Sequence, residues 1–302
     1  MDRALPRFLG ADLPETQYED SEVVVLPLPF ERTVSYGHGT DKGPEGLLVA
    51  SGYVELYDEE LGLEPMRQGI CTVPAFEPAA EDLAQAMAEM EAEAKRHMEA
   101  GKFLVSLGGD HGLTLAPVRA ARAVFGGSGG ADLGVVQFDA HGDLRDSYGG
   151  TPYSHAAVMR RVVELGCKTL AVGLRAVSAP EAEFARDNSL PIIWGHQLHD
   201  DERSGSTARF EELLDKLPEK VYLTFDIDYF DPSLVPSTGT PEPGGGTWYP
   251  TLRLLRRLFE KKQVVAMDVV ELAPVEGSPA SDFVAAKLVF KCLAYRMLRA
   301  AR

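Results

Sequence analysis

Cysteine and basic residues are both scarce in this 302-residue chain. Its three cysteines, Cys71, Cys167 and Cys292, lie far apart and form no CxxC pair, which excludes a disulfide framework and a thiolate metal site. They read as small buried hydrophobes. Lys and Arg number 30 against 46 Asp and Glu, a net charge of −16. A chain so short of cations would repel polyanions and anionic lipid surfaces, so nucleic acid and membrane surfaces are excluded as partners and a neutral or cationic small substrate is favoured. No apolar run approaches the roughly 18 residues of a membrane-spanning helix. The opening MDRALPRFLGADLPE lacks the apolar core of a secretory signal and the Arg/Ser-rich, acid-poor pattern of a transit peptide, so a cytoplasmic protein is expected. Neither a GxGxxG opening a helix after a first strand nor a P-loop lysine occurs, which leaves nucleotide-dependent chemistry without support.

What is present is the composition of an ordinary globular protein, 45% hydrophobic and 25% charged. Short apolar runs at Val23 to Leu28, Phe103 to Leu107, Leu133 to Phe138, Thr169 to Gly173, Pro191 to Trp194, Val221 to Phe225 and Val264 to Val269 read as strands. Most have no polar face, as expected of a parallel sheet covered on both sides. Helical periodicity falls between them: Leu83, Met87, Met90, Ala94 and Met98 make one apolar stripe within Glu81 to Ala100, read as core packing. Further helices are expected at Leu115 to Val124, His155 to Leu165, Pro180 to Asp187, Arg209 to Leu217, Tyr249 to Lys261 and Phe283 to Leu298. This alternation predicts an α/β fold with right-handed crossovers. The GGSGG stretch, Gly126 to Gly130, is too short to separate domains, so residues 1–302 are read as a single one.

Acid and imidazole concentrate where three of these strands end, the place where open α/β sheets bind ligands. SLGGDHG supplies Asp110 and His111, QFDAHGD supplies Asp139, His141 and Asp143, and TFDIDYFDP supplies Asp226 and Asp228. In an extended strand Asp139 and Asp143 would stand about 13 Å apart, too far for one ion, so the chain must curl there or address two ions. Asp226 and Asp228, about 6 to 7 Å apart in an ideal strand, would suit a metal pair. A lone DxD is commonly a turn or cap, but three such clusters on one sheet are not explained by caps. Buried carboxylates need positive charge, and these segments contain none beyond Arg145. The cation must be imported. Carboxylate and imidazole without thiolate suit Mn(II), with Zn, Fe, Co and Ni left open. Such a centre lowers the pKa of water and points to hydrolysis at an unreactive carbon or phosphorus.

The stretches GGDH, DAHGDL, FDIDYFDPS and GTPEPGG, together with SYGHGTDKGP and DVVELAP, resemble the ureohydrolases, the family of arginase, agmatinase and their relatives, over almost the whole chain. The resemblance implies an arginase-like three-layer α/β/α fold with a mainly parallel sheet of about eight strands. It implies two Mn(II) ions held by His111, Asp139, His141, Asp143, Asp226 and Asp228. Asp139 and Asp226 would bridge, with His111 and Asp143 on one ion and His141 and Asp228 on the other. His155, in YSHA, would be the catalytic histidine that relays a proton to the leaving amine, and Glu271, in VEL, the acid that pairs with the substrate guanidinium. Asp143 would accept a hydrogen bond from the tetrahedral intermediate. The implied product is urea. Agmatine ranks first as substrate, giving putrescine, with aminopropylagmatine, guanidinobutyrate, guanidine and arginine as alternatives. A homo-oligomer, trimer or hexamer, is also implied. Gly112 and Gly142 depart from the Ser and Ala usual in the family, adding backbone freedom near the centre, and Tyr229-Phe230 is a bulky version of a variable pair. His38, His97, His196 and His199 match nothing catalytic and read as surface or structural. A metal-dependent deacetylase and a non-catalytic regulatory relative are the readings from other classes.

Overall fold

The strands form because runs such as VVVLPL and LGVVQF offer apolar side chains to both faces at once, which only a sheet covered on each side can bury. The computed structural model describes residues 5–10, 13–127, 132–198 and 205–300. Among the described residues there are eight strands: β1 Val23–Leu28, β2 Ile70–Thr72, β3 Phe103–Gly108, β4 Leu133–Phe138, β5 Lys168–Leu174, β6 Ile192–Trp194, β7 Lys220–Asp226 and β8 Gln263–Val270. They make one sheet in the order β2-β1-β3-β8-β7-β4-β5-β6, and every pairing is parallel.

Alternate residues of one strand enter different cores. Val23 and Val25 join α1 (Gly43–Ser51), α7 (Gly205–Leu214), α8 (Trp248–Lys261) and α9 (Ala280–Ala300) on one face. Val24, Leu26 and Leu28 join α2 (Leu83–Glu99), α3 (Leu115–Phe125), α4 (Val158–Glu164) and α5 (Ala179–Asp187) on the other. This is the three-layer α/β/α arrangement. Met87, Met90, Ala94 and Met98 of α2 are fully buried in the second core, as the helical stripe requires. A short helix, α6 (Gly195–Leu198), follows β6.

Sequence and structure differ at a few places. The edge strand β2 has only three half-buried residues, too few to show a period, and α1 has the sequence GPEGLLVAS, whose two glycines and proline read as loop. The segment from His155 is not one helix: a 3-10 turn, His155–Ala157, precedes α4. Cys167 and Cys292 are buried, but Cys71 is half-exposed. His97 is buried against Tyr18 and Glu93, whereas His38 and His196 lie on the surface. His199 and residues 128–130 of the GGSGG loop lie outside the described residues. No described helix is long and apolar enough to cross a membrane.

Candidate metal centre

The four central strands, β3, β8, β7 and β4, all point their carboxyl ends to one crevice. Beyond β3, Gly109 passes so close to Phe30 that a β-carbon would lie 2.0 Å from its carbonyl oxygen, and no other residue fits. Asp110 is fully buried, and its carboxylate accepts from the amides of Arg32, Thr33 and Gly112 at 2.8 to 3.0 Å. It therefore caps the 3-10 turn His111–Thr114 and fixes a neighbouring loop rather than joining the ligands. His111, next along that turn, faces the crevice. Its amide donates to Glu271 Oε1 at 2.6 Å, tying the end of β3 to the residue that follows β8.

After Phe138 the chain leaves the sheet and curls, so Asp139 and Asp143 do not stand an extended-strand length apart. The curl leaves Asp143 with φ +52°, and Glu271 has φ +64°. Non-glycine residues rarely hold such angles, and both are residues singled out by the sequence. Asp226 is the last residue of β7, and Ile227–Tyr229 form a 3-10 turn that Asp226 caps by accepting from the Asp228 amide at 2.9 Å. The DxD segment is thus bent, not the extended pair expected.

The six sequence-selected residues meet here. His111, Asp139 and Asp226 can offer ligand atoms that all lie within 4.8 Å of one another, and so can Asp139, His141 and Asp228. Asp139 belongs to both groups, the position a bridging ligand must take. Asp143 falls in neither group, yet its Oδ2 is 2.9 Å from His111 Nδ1. That nitrogen also has Asp139 Oδ2 at 3.0 Å and Asp226 Oδ2 at 3.4 Å. His141 Nδ1 lies 2.9 Å from Asp228 Oδ2.

Hydrogen bonding settles the tautomer that a neutral His111 must take. Thr224 Oγ1 donates its one proton to Asp268 Oδ1 at 2.7 Å, so it accepts from His111 Nε2 at 2.9 Å. In a neutral imidazole the lone pair is then on Nδ1, among three carboxylate oxygens, with no hydrogen-bond partner. Asp228 Oδ2 is likewise buried and accepts no hydrogen bond, its near neighbour being His141 Nδ1. A divalent cation satisfies all of these groups, and the hard oxygen and imidazole donors fit it. Gln137 Nε2 orients Asp139 from behind at 2.8 Å, and Tyr222 donates to Asp268 at 2.8 Å. The supporting residues Gln137, Thr224 and Asp268 were not found from sequence, because a polar residue inside a strand carries no sign of which ligand it will meet.

Without a cation the cluster would hold protons. Burial, then the charge of Asp139, pushes Asp143 up to about 7, and burial with Asp228 and Asp139 raises Asp226 well above the usual carboxylate range. Against burial, Asp228 and Asp139 hold the His141 imidazole up at about 11. Metal binding requires carboxylates and neutral imidazoles, so it must expel these protons. Affinity should rise with pH and weaken as pH falls through about 7, the Asp143 value. Calorimetric titration of Mn(II) into metal-free protein, in buffers of different ionisation enthalpy, should read net proton release, and a buffer-independent heat would contradict it.

The crevice opens into a cavity of about 380 Å³ lined by His111, His141, Asp143, His155, Asp226, Asp228 and Glu271 among others. His155 sits at its wall, with its amide bonded to Thr33 Oγ1 at 2.9 Å and its ring edge-on to Tyr148. Burial, with the nearby imidazoles and Arg145, lowers it to about 4, so it is neutral at neutral pH. Glu271 is buried; burial and then the Asp110 charge raise its carboxyl well above the usual range. Gly112 and Gly142 are hemmed in: a β-carbon would lie 2.9 Å from Asp110 Oδ1 at one and 2.9 Å from Val177 at the other. They permit close packing rather than freedom.

The sequence model of the arginase family matches residues 21–295. The chain belongs to the arginase family. N(1)-aminopropylagmatine ureohydrolase of Synechocystis sp. is 42% identical over 285 residues, 93% of this chain and 90% of that protein. The agmatinase of Pyrococcus horikoshii is 32% identical, covering 94% of this chain and 95% of its own length. Among solved structures, agmatine ureohydrolase of Thermoplasma volcanium superposes with a TM-score of 0.86 at 29% identity, covering 99% of this chain and 97% of that one. This arginase-family chain is accordingly a ureohydrolase, a hydrolase of guanidino compounds.

Proposed function

We propose that the chain releases urea from N(1)-aminopropylagmatine, an elongated guanidino polyamine, using two Mn(II) ions per subunit. The observation that carries the reading is the pair of ligand groups sharing Asp139 at the floor of one cavity. His111 and Asp143 would hold one ion, His141 and Asp228 the other, with Asp139 and Asp226 between them. When bound, the ions supply Lewis-acid polarisation and bring the pKa of water down to near neutrality.

The chain's own residues do the rest. Glu271, held by its bond to the His111 amide, offers a carboxylate to the guanidinium and orients its carbon toward the ligand cluster. Asp143 accepts a hydrogen bond from the tetrahedral species that forms when water adds to that carbon. His155, neutral at neutral pH, takes a proton from the adding water and passes it to the departing amine nitrogen. Water adds, the C–N bond to the tail breaks, and urea and the polyamine leave.

The elongated substrate is favoured over agmatine because the relatives at 35–42% identity bear its name, whereas agmatinases stand at 30–33%. Agmatine remains the second reading, supported by the Thermoplasma volcanium structure. We further read the protein as cytoplasmic and a homo-oligomer. Urea release from aminopropylagmatine, agmatine, 4-guanidinobutanoate, guanidine and arginine, after Mn(II) preincubation with metal analysis, tests the whole. The highest kcat/KM should fall on aminopropylagmatine, with two Mn per chain. Preference for arginine, or no urea from any, overturns it.

A further inference from the structure

Two acidic residues line the cavity besides the ligand set and Glu271, and the carboxylate of only one of them is spoken for. Glu181 is buried and saturated: its oxygens accept from the Leu144 amide at 3.0 Å and from the Ser178 amide and hydroxyl at 2.8 and 2.6 Å. Glu242 is different. Its carboxylate makes no hydrogen bond or ion pair with any described residue, although the residue is only half-exposed.

Its main chain is nonetheless held in place. The Arg175 guanidinium has no carboxylate partner among the described residues and is engaged by main-chain carbonyls instead. Nη2 donates to Asp228 O at 2.7 Å and to Glu242 O at 2.8 Å, and Nε donates to Glu242 O and to Pro243 O at 3.2 and 3.1 Å. The carbonyls of Asp228 and Glu242 therefore accept from one and the same nitrogen and lie no more than about 5.5 Å apart. On the preceding side of the loop, Gly239 stands against Glu271: a β-carbon there would be 3.5 Å from Glu271 Oε2. Glu242 and Glu271 line the same cavity, so a guanidino substrate seated on Glu271 extends its tail into space that Glu242 borders.

We propose that Glu242 is the specificity-determining residue that selects a cationic tail, by pairing with the first amine nitrogen beyond the guanidinium. The inference rests on the reading of the chain as a guanidino-polyamine hydrolase. The amine sits at that position in both agmatine and aminopropylagmatine, and both lose the same contact if the carboxylate is removed. The counter-force is Arg145, the cation that lines the same cavity. Its charge is engaged, 3.8 Å from Glu181 and over the Tyr148 ring, so it does not neutralise Glu242 by contact. With Glu242 intact, a tail ending in a carboxylate meets like charge. With it gone, one carboxylate fewer opposes such a tail, and Arg145 is the arginine in the lining that can meet it.

The test is steady-state urea release by the Mn-loaded protein and E242Q, with aminopropylagmatine, agmatine and 4-guanidinobutanoate, alongside metal content. A charge-assisted hydrogen bond of this kind is worth about 10- to 100-fold in affinity. E242Q should keep its metal and a kcat within about threefold of the parent, raise KM for both cationic substrates by that 10- to 100-fold factor, and narrow the preference over 4-guanidinobutanoate equally. Glu242→Asp should recover part of the loss. Unchanged KM values in E242Q, or an equal loss with all three substrates, overturns the proposal while leaving the ureohydrolase reading intact. A parent protein that hydrolyses neither cationic substrate would instead overturn the reading beneath it.

Discussion

Asp139→Asn should lower kcat/KM for urea release by at least about a thousandfold and leave the protein short of metal. Asp139 is the one residue common to both ligand groups, fully buried, with Oδ1 on the His141 amide at 2.6 Å and Oδ2 on the Gln137 amide at 2.8 Å. The asparagine matches its shape and can keep its oxygen on the His141 amide, while its NH2 then faces Gln137, whose side-chain amide must turn over to accept. It removes one negative charge and one of two anionic oxygens at the point that the two ligand groups share. The activity that depends on water with a lowered pKa goes with them. Metal analysis after Mn(II) reconstitution, with thermal unfolding to verify the fold, reads the outcome. A variant with full metal content and parental turnover would remove Asp139 from the centre.

The second large effect belongs to Glu271. Glu271→Gln should retain the metal, because Glu271 lies outside both ligand groups, but lower kcat/KM by about 10² to 10⁴. That range is the about 3–5 kcal/mol lost when one partner of a buried ion pair is removed. The amide can still accept from the His111 main chain, so the turn at the end of β3 is kept. The pH dependence carries a sign. Burial and Asp110 raise the Glu271 carboxyl, so at low pH it is protonated and the cationic guanidinium has no counter-charge. KM of the parent should fall as pH rises through that ionisation, and the glutamine variant should lose this dependence. A parental kcat/KM in the variant would show that the guanidinium is held elsewhere.

These expectations rest on residues that were legible in the sequence, for an identifiable reason. Aspartate and histidine at the ends of apolar runs stand out because charge is scarce there, and a resemblance spread over six stretches placed each of them. Geometry within the stretches was less legible. Asp226 and Asp228 were expected on an extended strand, but the strand ends at Asp226 and the second acid rides on a 3-10 turn. Asp110, grouped with His111 by proximity in sequence, turned out to cap a turn and anchor Arg32 and Thr33. Neither outcome follows from spacing, since the same dipeptide serves as ligand or cap according to what its carboxylate meets.

By itself the sequence determined the class of structure and the kind of chemistry. Two-faced apolar strands demand a sheet covered on both sides, and uncompensated acids beside imidazoles demand a cation. Tertiary structure decided which of them meet. The strands bearing the site come in the chain order β3, β4, β7, β8 but lie side by side as β3-β8-β7-β4, and only that ordering sets Glu271 on the His111 amide. It likewise brings Thr224 and Asp268, on β7 and β8, under the His111 ring, and lets one arginine hold Glu242 beside Asp228. Such contacts span tens to more than a hundred residues. Periodicity and spacing are local quantities, and they hold no information about partners that only the packing of distant strands brings within hydrogen-bond reach.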